Sequence, residues 1–129
     1  MTLEKLNRHL SDAYGAEAEH AFQKYPEISV FRRADNRKWF ALVNRLPCRK
    51  LGLDRAGEVD ILNVKCDPIL LGSLRGKRGY LPAWHMNKDN WITVLLDGSV
   101  PDQEIEGLLA VSYDLTRPKG KGPSRFSEE

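Results

Sequence analysis

The chain has 129 residues and a formal net charge of +2, with 41% hydrophobic and 29% charged residues. This length and composition are typical of one globular domain built around a single core. No apolar run approaches the roughly 18 residues that a membrane helix needs, and the first residues lack the basic-then-apolar layout of a signal peptide. We therefore expect a cytoplasmic protein without a membrane partner.

The N-terminal half predicts a helix, a pair of strands and a loop. Apolar residues recur at helical spacing over residues 2–14, and Gly15 is well placed to end that helix. Residues 28–33 and 39–46 are rich in aliphatic and aromatic side chains and flank an Asp-Asn turn, which predicts two paired strands. The polar stretch over residues 49–57 is predicted to be a loop.

The C-terminal half predicts, in order, a strand, a helix, a loop, a strand and a helix. Asp67 is an N-cap candidate, and the proline after it suits the first helical position. The predicted segments are residues 59–66, 68–75, 76–82 and 91–96, followed by a last helix that begins at Pro101.

These elements predict a two-layer α+β domain over residues 1–116. Strands joined by short turns imply an antiparallel sheet, and the amphipathic helices are expected to pack on one face of it. Residues 117–129 are basic and rich in glycine and proline, so we expect a flexible C-terminal tail. We expect the protein to be a monomer.

Charge is segregated along the chain. Residues 65–91 carry five basic and two acidic side chains, whereas residues 92–115 carry five acidic and no basic ones. Residues 116–126 carry four basic side chains and no acidic ones. This pattern indicates separate basic and acidic regions on the protein.

Two sets of basic residues have a structural interpretation as an alternative to nucleic-acid binding. Arg75 and Lys77 lie at the C-terminal end of the predicted central helix, where cations complement the negative end of a helix. Four basic residues flank the predicted hairpin, where charges commonly stay solvated and prevent edge-to-edge pairing; we favour this interpretation over a basic wing for nucleic acid. They are Arg32, Arg33, Arg37 and Lys38.

Residues 80–91 combine aromatic, cationic and amide side chains. Aromatic rings beside cations can stack on bases while the cations contact phosphates. Trp91 is predicted to lie in the core because it begins an alternating strand. His85, Asn87 and Lys88 are expected to be exposed, either facing a ligand or forming a purely structural turn.

Neither the cysteines nor the histidines predict a catalytic or metal site. Cys48 and Cys66 do not form a CxxC motif and are expected to be structural free thiols. His9, His20 and His85 lack the i, i+4 spacing of a metal site. We expect no metal, no cofactor and no catalytic residue.

Three ordered motifs resemble the MmcQ/YjbR family. They are LNVKCDP at residues 62–68 with Leu74 and Arg75; HMNK at residues 85–88 with WITV at 91–94; and Pro101, Asp102 and Glu104 with SYDL at 112–115. The resemblance implies a compact fold similar to frataxin-like or secretion-chaperone-like proteins. It also implies DNA binding, sometimes described as a double-wing arrangement.

Our leading hypothesis is a non-enzymatic, DNA-binding domain. Its phosphate contacts would come from Arg75, Lys77, Arg78 and Lys88, with polar contacts from His85 and Asn87. The alternative is a protein-interaction module with a chaperone-like fold. A third hypothesis is an enzyme or small-ligand binder centred on His85, in a pocket near Trp84.

Overall fold

The computed structural model describes residues 1–119, which form three α-helices and a five-stranded antiparallel sheet. The strand order is β1-β2-β3-β5-β4, so β3 lies at the centre and β4 at one edge. The elements are α1 (Leu3–Tyr14), β1 (Ser29–Arg32), β2 (Trp39–Pro47), a short 3₁₀ helix (Cys48–Leu51), β3 (Glu58–Lys65), α2 (Pro68–Leu74), β4 (Tyr80–Pro82), β5 (Trp91–Leu95) and α3 (Asp102–Leu115).

Local chemistry sets both ends of α1, and its predicted end at Gly15 is confirmed. The Thr2 hydroxyl accepts a hydrogen bond from the backbone N–H of Lys5 at 3.1 Å, which caps the first turn. Gly15 then adopts a left-handed conformation with φ of 62°, and its N–H bonds back into the last turn. Glycine suits this position because it has no Cβ to clash there.

The main core lies between the three helices and one face of the sheet. Leu6 and Leu10 of α1, with Ile105 and Leu109 of α3, are fully buried in it. Alternate residues of β3 point to opposite faces, so Leu62 and Val64 join this core, while Val59 and Ile61 join a smaller cluster behind the sheet. The predicted α+β fold with helices on one face is confirmed.

The rear cluster is covered by irregular chain. It contains Leu46, Val59, Ile61 and Leu95, with Leu51, Leu53, Leu81 and Trp84 packed around it. Residues 49–57 were expected to be a loop throughout, but the 3₁₀ helix occupies the start of that stretch. Its buried Cys48 explains the difference, because the chain must turn back tightly to place that side chain beneath the sheet.

The stretch over residues 76–82 was also expected to be a loop, and this prediction is wrong in part. Tyr80 and Pro82 pair with Val94 and Ile92 of β5 to form the short edge strand β4. A proline is tolerated at such an edge because no further strand requires its missing N–H. A strand of only three residues is too short to show an alternating pattern in the sequence, and the glycines before it favour a loop.

The chain ends are partly described. Among residues 1–119, no helix is long and apolar enough to cross a bilayer. Arg117 pairs with Asp114 at 2.9 Å just after α3. The prediction of a flexible basic tail falls mostly on residues 120–129, which lie outside the described residues.

Candidate nucleic-acid interface

The first part of the candidate interface is the exit of α2. Asp67 caps the entry to that helix by accepting the N–H of Leu70 at 2.8 Å, as the sequence predicts. The helix ends at Leu74, and its last turn is closed by the N–H of Arg75, which bonds to the Leu71 carbonyl at 3.1 Å. Arg75, Lys77 and Arg78 are all exposed on the turn that follows.

Gly79 fixes where this turn meets the rest of the protein. Its φ is 89°, a conformation that residues with a side chain rarely adopt. A Cβ at this position would lie 2.7 Å from the Ser99 hydroxyl oxygen and would also collide with Val100. The backbone of the turn is therefore packed directly against the β5–α3 connection, which leaves Lys77 and Arg78 on the outer side.

The second part is the turn between β4 and β5. The Asn87 carbonyl accepts the N–H groups of Asn90 and Trp91 at 3.2 and 2.9 Å. The Asn87 side-chain oxygen accepts the N–H of Asp89 at 2.8 Å. This is the self-capping turn chemistry typical of asparagine. Asn87 therefore has a structural role through its oxygen, while its side chain remains exposed.

A buried polar network holds this turn on the sheet. The Asn63 amide donates to the Trp84 carbonyl at 3.0 Å, and the Thr93 hydroxyl accepts the Trp84 N–H at 2.9 Å. Thr93 in turn donates its hydroxyl proton to the Asn63 side-chain oxygen. Both side chains are fully buried. Sequence reasoning missed this network, although a lone asparagine inside an apolar strand is a signal because buried amides are hydrogen-bonded.

His85 follows this anchor directly. Its φ of 58° is unusual for a residue with a side chain. Its ring stacks on Trp84, with centroids 4.5 Å apart and planes 17° from parallel. His85 is exposed, as predicted, and it lines a hollow of about 270 Å³ together with Lys50 and Lys88. The surface around His85 is therefore open.

Arg75 and Lys88 are brought together. The Arg75 guanidinium donates to the Lys88 carbonyl at 3.1 Å. Both residues line a cavity of about 340 Å³ whose apolar wall is formed by Leu71, Tyr80, Leu81, Pro82, Trp91 and Ile92. Lys77, Arg78 and Asn87 do not line it. The structure thus brings Arg75 and Lys88 together, while Lys77 and Arg78 lie on the same turn as Arg75 but outside the cavity.

Trp91 was expected in the core, and this prediction is wrong. It is half-buried and forms part of the cavity wall. Its partner in the sheet is Lys65 at the end of β3, so the alternation of β5 begins beyond the packed centre of the sheet.

Lys50 lies close to His85 and Lys88, which the sequence does not predict, because its position depends on the 3₁₀ helix folding behind the sheet.

The four cations at this end differ from the hairpin arginines in their pairing. Within residues 1–119, no carboxylate lies within 4.0 Å of any of the four, which are Arg75, Lys77, Arg78 and Lys88. Glu19 instead pairs with Arg32 at 3.1 Å and with Arg37 at 3.0 Å. The hydrogen bonds from both arginines lower the pKa of Glu19 against the opposing effect of desolvation, the largest single influence.

Arg33 is buried and has a structural role. Its guanidinium pairs with Asp35 at 2.8 Å and lies 3.9 Å from the centre of the Tyr113 ring. The hydrogen bond to Asp35 is the main cause that raises the pKa of Arg33. These contacts clamp the β1–β2 turn onto the end of α3. The prediction that the hairpin charges stay solvated is therefore wrong for Arg33, which is buried, whereas Arg37 and Lys38 are exposed.

Two further titratable groups near this end have pKa values raised by burial. Burial raises the pKa of the Cys66 thiol to about 11, with a further contribution from Asp67. Burial likewise raises the pKa of Tyr80, whose hydroxyl donates to Glu104. Among residues 1–119, no three histidine, cysteine, aspartate or glutamate side chains are grouped so that they could hold a metal ion. What the arrangement can do is attract an anion.

Comparisons with known proteins agree with the fold. Residues 11–115 match the YjbR family model. The uncharacterized protein YyaQ of Bacillus subtilis (strain 168) is 38% identical over 117 residues, covering 91% of this chain and 99% of that protein. The uncharacterized protein YjbR of Escherichia coli (strain K12) is 42% identical over 53 residues, covering 40% of this chain and 45% of that protein.

Solved structures show the same architecture. A crystal structure of a Pseudomonas syringae protein is 41% identical with a TM-score of 0.87, covering 91% of this chain and 100% of that one. A Deinococcus radiodurans protein with a DUF419 domain is 27% identical with a TM-score of 0.68, covering 88% of this chain and 77% of that one. Together with the match to the family model, these similarities show that the chain belongs to the YjbR family.

Proposed function

We propose that the protein binds DNA as a monomer and without catalysing a reaction. The binding surface is the basic end of the molecule, defined here as the turn over residues 75–79 with the turn over residues 85–90. Arg75, Lys77, Arg78 and Lys88 contact phosphates, and His85 and Asn87 add polar contacts.

The observation that carries this proposal is the absence of ion pairs at the basic end within residues 1–119. A cation that already pairs with a carboxylate must give up that partner before it binds a phosphate. An exposed cation without a carboxylate partner gives up only water when it binds a phosphate. The DNA releases condensed counterions at the same time. Unpaired, exposed cations that lie together are therefore suited to a polyanion.

The same groups predict low sequence selectivity. Contacts to phosphates position a protein on DNA but carry no base information. The remaining polar groups are the exposed His85 ring, stacked on Trp84, and the Asn87 amide nitrogen, since the Asn87 oxygen already accepts a backbone N–H. We expect duplexes of different sequence to bind with similar affinity.

The non-catalytic part of the proposal is supported by the cysteines. A thiol acts as a nucleophile in its ionised form. Cys48 and Cys66 are both buried, and the pKa of Cys66 is raised to about 11 by that burial. Cys66 therefore stays protonated and inert at neutral pH.

The test is fluorescence anisotropy with labelled duplex and single-stranded DNA at two salt concentrations. Lys88→Ala should weaken binding by about three- to tenfold at low salt and reduce the slope of log K against log salt by about 1. Arg8→Ala is the matched control, because Arg8 is an exposed cation on α1, away from the basic end in the chain. No binding at low salt, or equal losses in the two variants, would refute the proposal.

A second candidate, a protein-interaction module, is favoured by one observation. A hollow of about 260 Å³ behind the sheet is lined by Phe22, Tyr25, Trp39, Trp84 and Met86 among others. Among the described residues, however, only Tyr25 and Ile69 are large hydrophobic residues that are exposed, at 54% and 88%. Self-association detected by sedimentation velocity and abolished by Met86→Glu would support this candidate, whereas a 14.7 kDa species at all concentrations would support the monomer.

A further inference from the structure

The cavity beside the basic end has the size and composition of a ligand site. Its volume is about 340 Å³. Packed protein interiors contain few voids larger than a water molecule, whereas small-molecule sites begin at roughly 300 Å³. The cavity is bounded by the end of α2, the edge strand β4 and the start of β5, so three separate elements shape it.

The wall is apolar and the polar groups in it are cationic. Leu71, Leu81, Pro82 and the Trp91 ring supply most of the lining, and Arg75 and Lys88 supply the charge. The Tyr80 ring also contributes, but its hydroxyl is occupied by Glu104. A ligand that fills this cavity therefore meets an aromatic and aliphatic surface with positive charge at one place.

Arg75 is held in position while keeping most of its donors free. A guanidinium has five N–H donors, and the one contact found for it within residues 1–119 is the 3.1 Å bond from one terminal nitrogen to the Lys88 carbonyl. That bond orients the side chain beside Lys88, and no carboxylate in the same part of the chain neutralises either residue. Such a pair is suited to a carboxylate, sulfonate or phosphate group.

We propose that this cavity binds a small organic anion, with its apolar or aromatic body against Trp91 and Leu81 and its anionic group between Arg75 and Lys88. This site does not depend on DNA binding. Because Arg75 and Lys88 also belong to the basic end, the small anion and DNA compete wherever both bind. The protein then responds to the ligand by releasing DNA.

The experiment compares two fluorescent probes with nearly the same ring system, the anion 8-anilinonaphthalene-1-sulfonate and the neutral N-phenyl-1-naphthylamine. Each probe is titrated into the full chain. The anion should bind saturably with one site per chain and more tightly than the neutral probe. Arg75→Ala and Lys88→Ala should each weaken the anion by about five- to tenfold and leave the neutral probe unchanged.

Lys77→Ala is the matched control, because Lys77 is an exposed cation two residues from Arg75 that does not line the cavity. The affinity of this variant for the anion should stay within about twofold of that of the unsubstituted protein, because salt screens a surface charge outside the cavity. Equal affinity for both probes, or equal losses in all three variants, would overturn the inference. So would the lack of saturable binding.

Duplex DNA titrated into the same variants separates this inference from the DNA proposal. If Lys88→Ala weakens the sulfonate but not the DNA, the cavity site stands and the proposed DNA interface is wrong. If it weakens the DNA but not the sulfonate, the inference is overturned while DNA binding stands. Losses of both, with displacement of the bound sulfonate by DNA, would support the shared site.

Discussion

Single polar residues in apolar surroundings determine how the basic end is positioned. Asn63 and Thr93 are fully buried in neighbouring strands and together hold the backbone of Trp84. Ser112 has a similar role at the C-terminal end of β3, where its hydroxyl donates to the Phe40 carbonyl at 2.6 Å and accepts the Lys65 N–H at 2.9 Å. Such a buried polar residue destabilises the fold little while its hydrogen-bond partners are present. Removing a partner lowers the free energy of unfolding, because a buried polar group is left unpaired.

Thr93→Val should test this view at the centre of the sheet. Valine fills the same space but leaves the Trp84 N–H and the Asn63 side-chain oxygen without their partner. The free energy of unfolding should fall by about 1–3 kcal/mol, measured by urea denaturation. Ser73→Ala, which removes an exposed hydroxyl on α2, is the control and should change it by less than about 0.5 kcal/mol. A comparably small change for Thr93→Val would show that the network is dispensable.

Cys66 should make stability depend on alkaline pH. Its pKa is raised by burial from 9.0 to about 11, so the unfolded thiol ionises first. The stabilising contribution is complete below pH 9 and is lost as pH rises through about 11. Between pH 9 and about 11, the free energy of unfolding of the unsubstituted protein should fall by about 1–3 kcal/mol more than that of Cys66→Ala. Parallel pH profiles of the two proteins would contradict this assignment.

At the scale of elements, the proposed DNA-binding surface consists of short turns, and the longer elements position them. The exit of α2 and the β4–β5 turn are separate in sequence, and they meet through the bond between Arg75 and Lys88. Gly79 determines how closely the first of these turns approaches the β5–α3 connection.

Substitution of two glycines separates backbone constraint from helix propensity. Gly79→Ala should destabilise the protein by about 2–4 kcal/mol, because of its positive φ and the collision with Ser99 and Val100. Gly72→Ala, within α2 and with open space around its Cβ position, should stabilise the protein by about 0.5–1 kcal/mol. Thermal unfolding of both variants measures the contrast. Similar effects of the two substitutions would show that the close approach at Gly79 is unimportant.

Asp89 tests the electrostatics of the β4–β5 turn. It is exposed beside Lys88, and it contributes a backbone N–H to the turn rather than its carboxylate. Asp89→Asn keeps that N–H and removes a negative charge that opposes phosphate. We expect duplex DNA to bind about two- to fivefold more tightly at low salt, an advantage that disappears as salt screens the charge. Unchanged or weaker binding in anisotropy measurements would argue against phosphate contacts at this turn.

At the scale of the whole molecule, the sequence predicts the fold better than the site. Periodicity and capping residues identify α1, β3, α2 and α3 because these signals act within a few neighbouring residues. The short strand β4 and the half-buried Trp91 depend on pairing across the sheet, which no local pattern contains. The proximity of Lys50 to Lys88 likewise arises from tertiary folding.

The hairpin arginines and the cations of the basic end differ in ion pairing, which a net charge of +2 conceals. Three hairpin arginines, Arg32, Arg33 and Arg37, are held in ion pairs. The four cations of the basic end are without carboxylate neighbours among residues 1–119. From this contrast we infer that DNA approaches at the end of the sheet that carries β4.

The most direct test is a titration of the ¹⁵N-labelled protein with duplex DNA at low salt, followed by amide chemical shifts. Our account predicts saturable shifts concentrated over residues 75–79 and 85–90, which revert when salt is raised. The β1–β2 hairpin, with its paired arginines, should stay unchanged. Shifts centred on that hairpin, or no shifts at all, would contradict the assignment of DNA binding to the basic end.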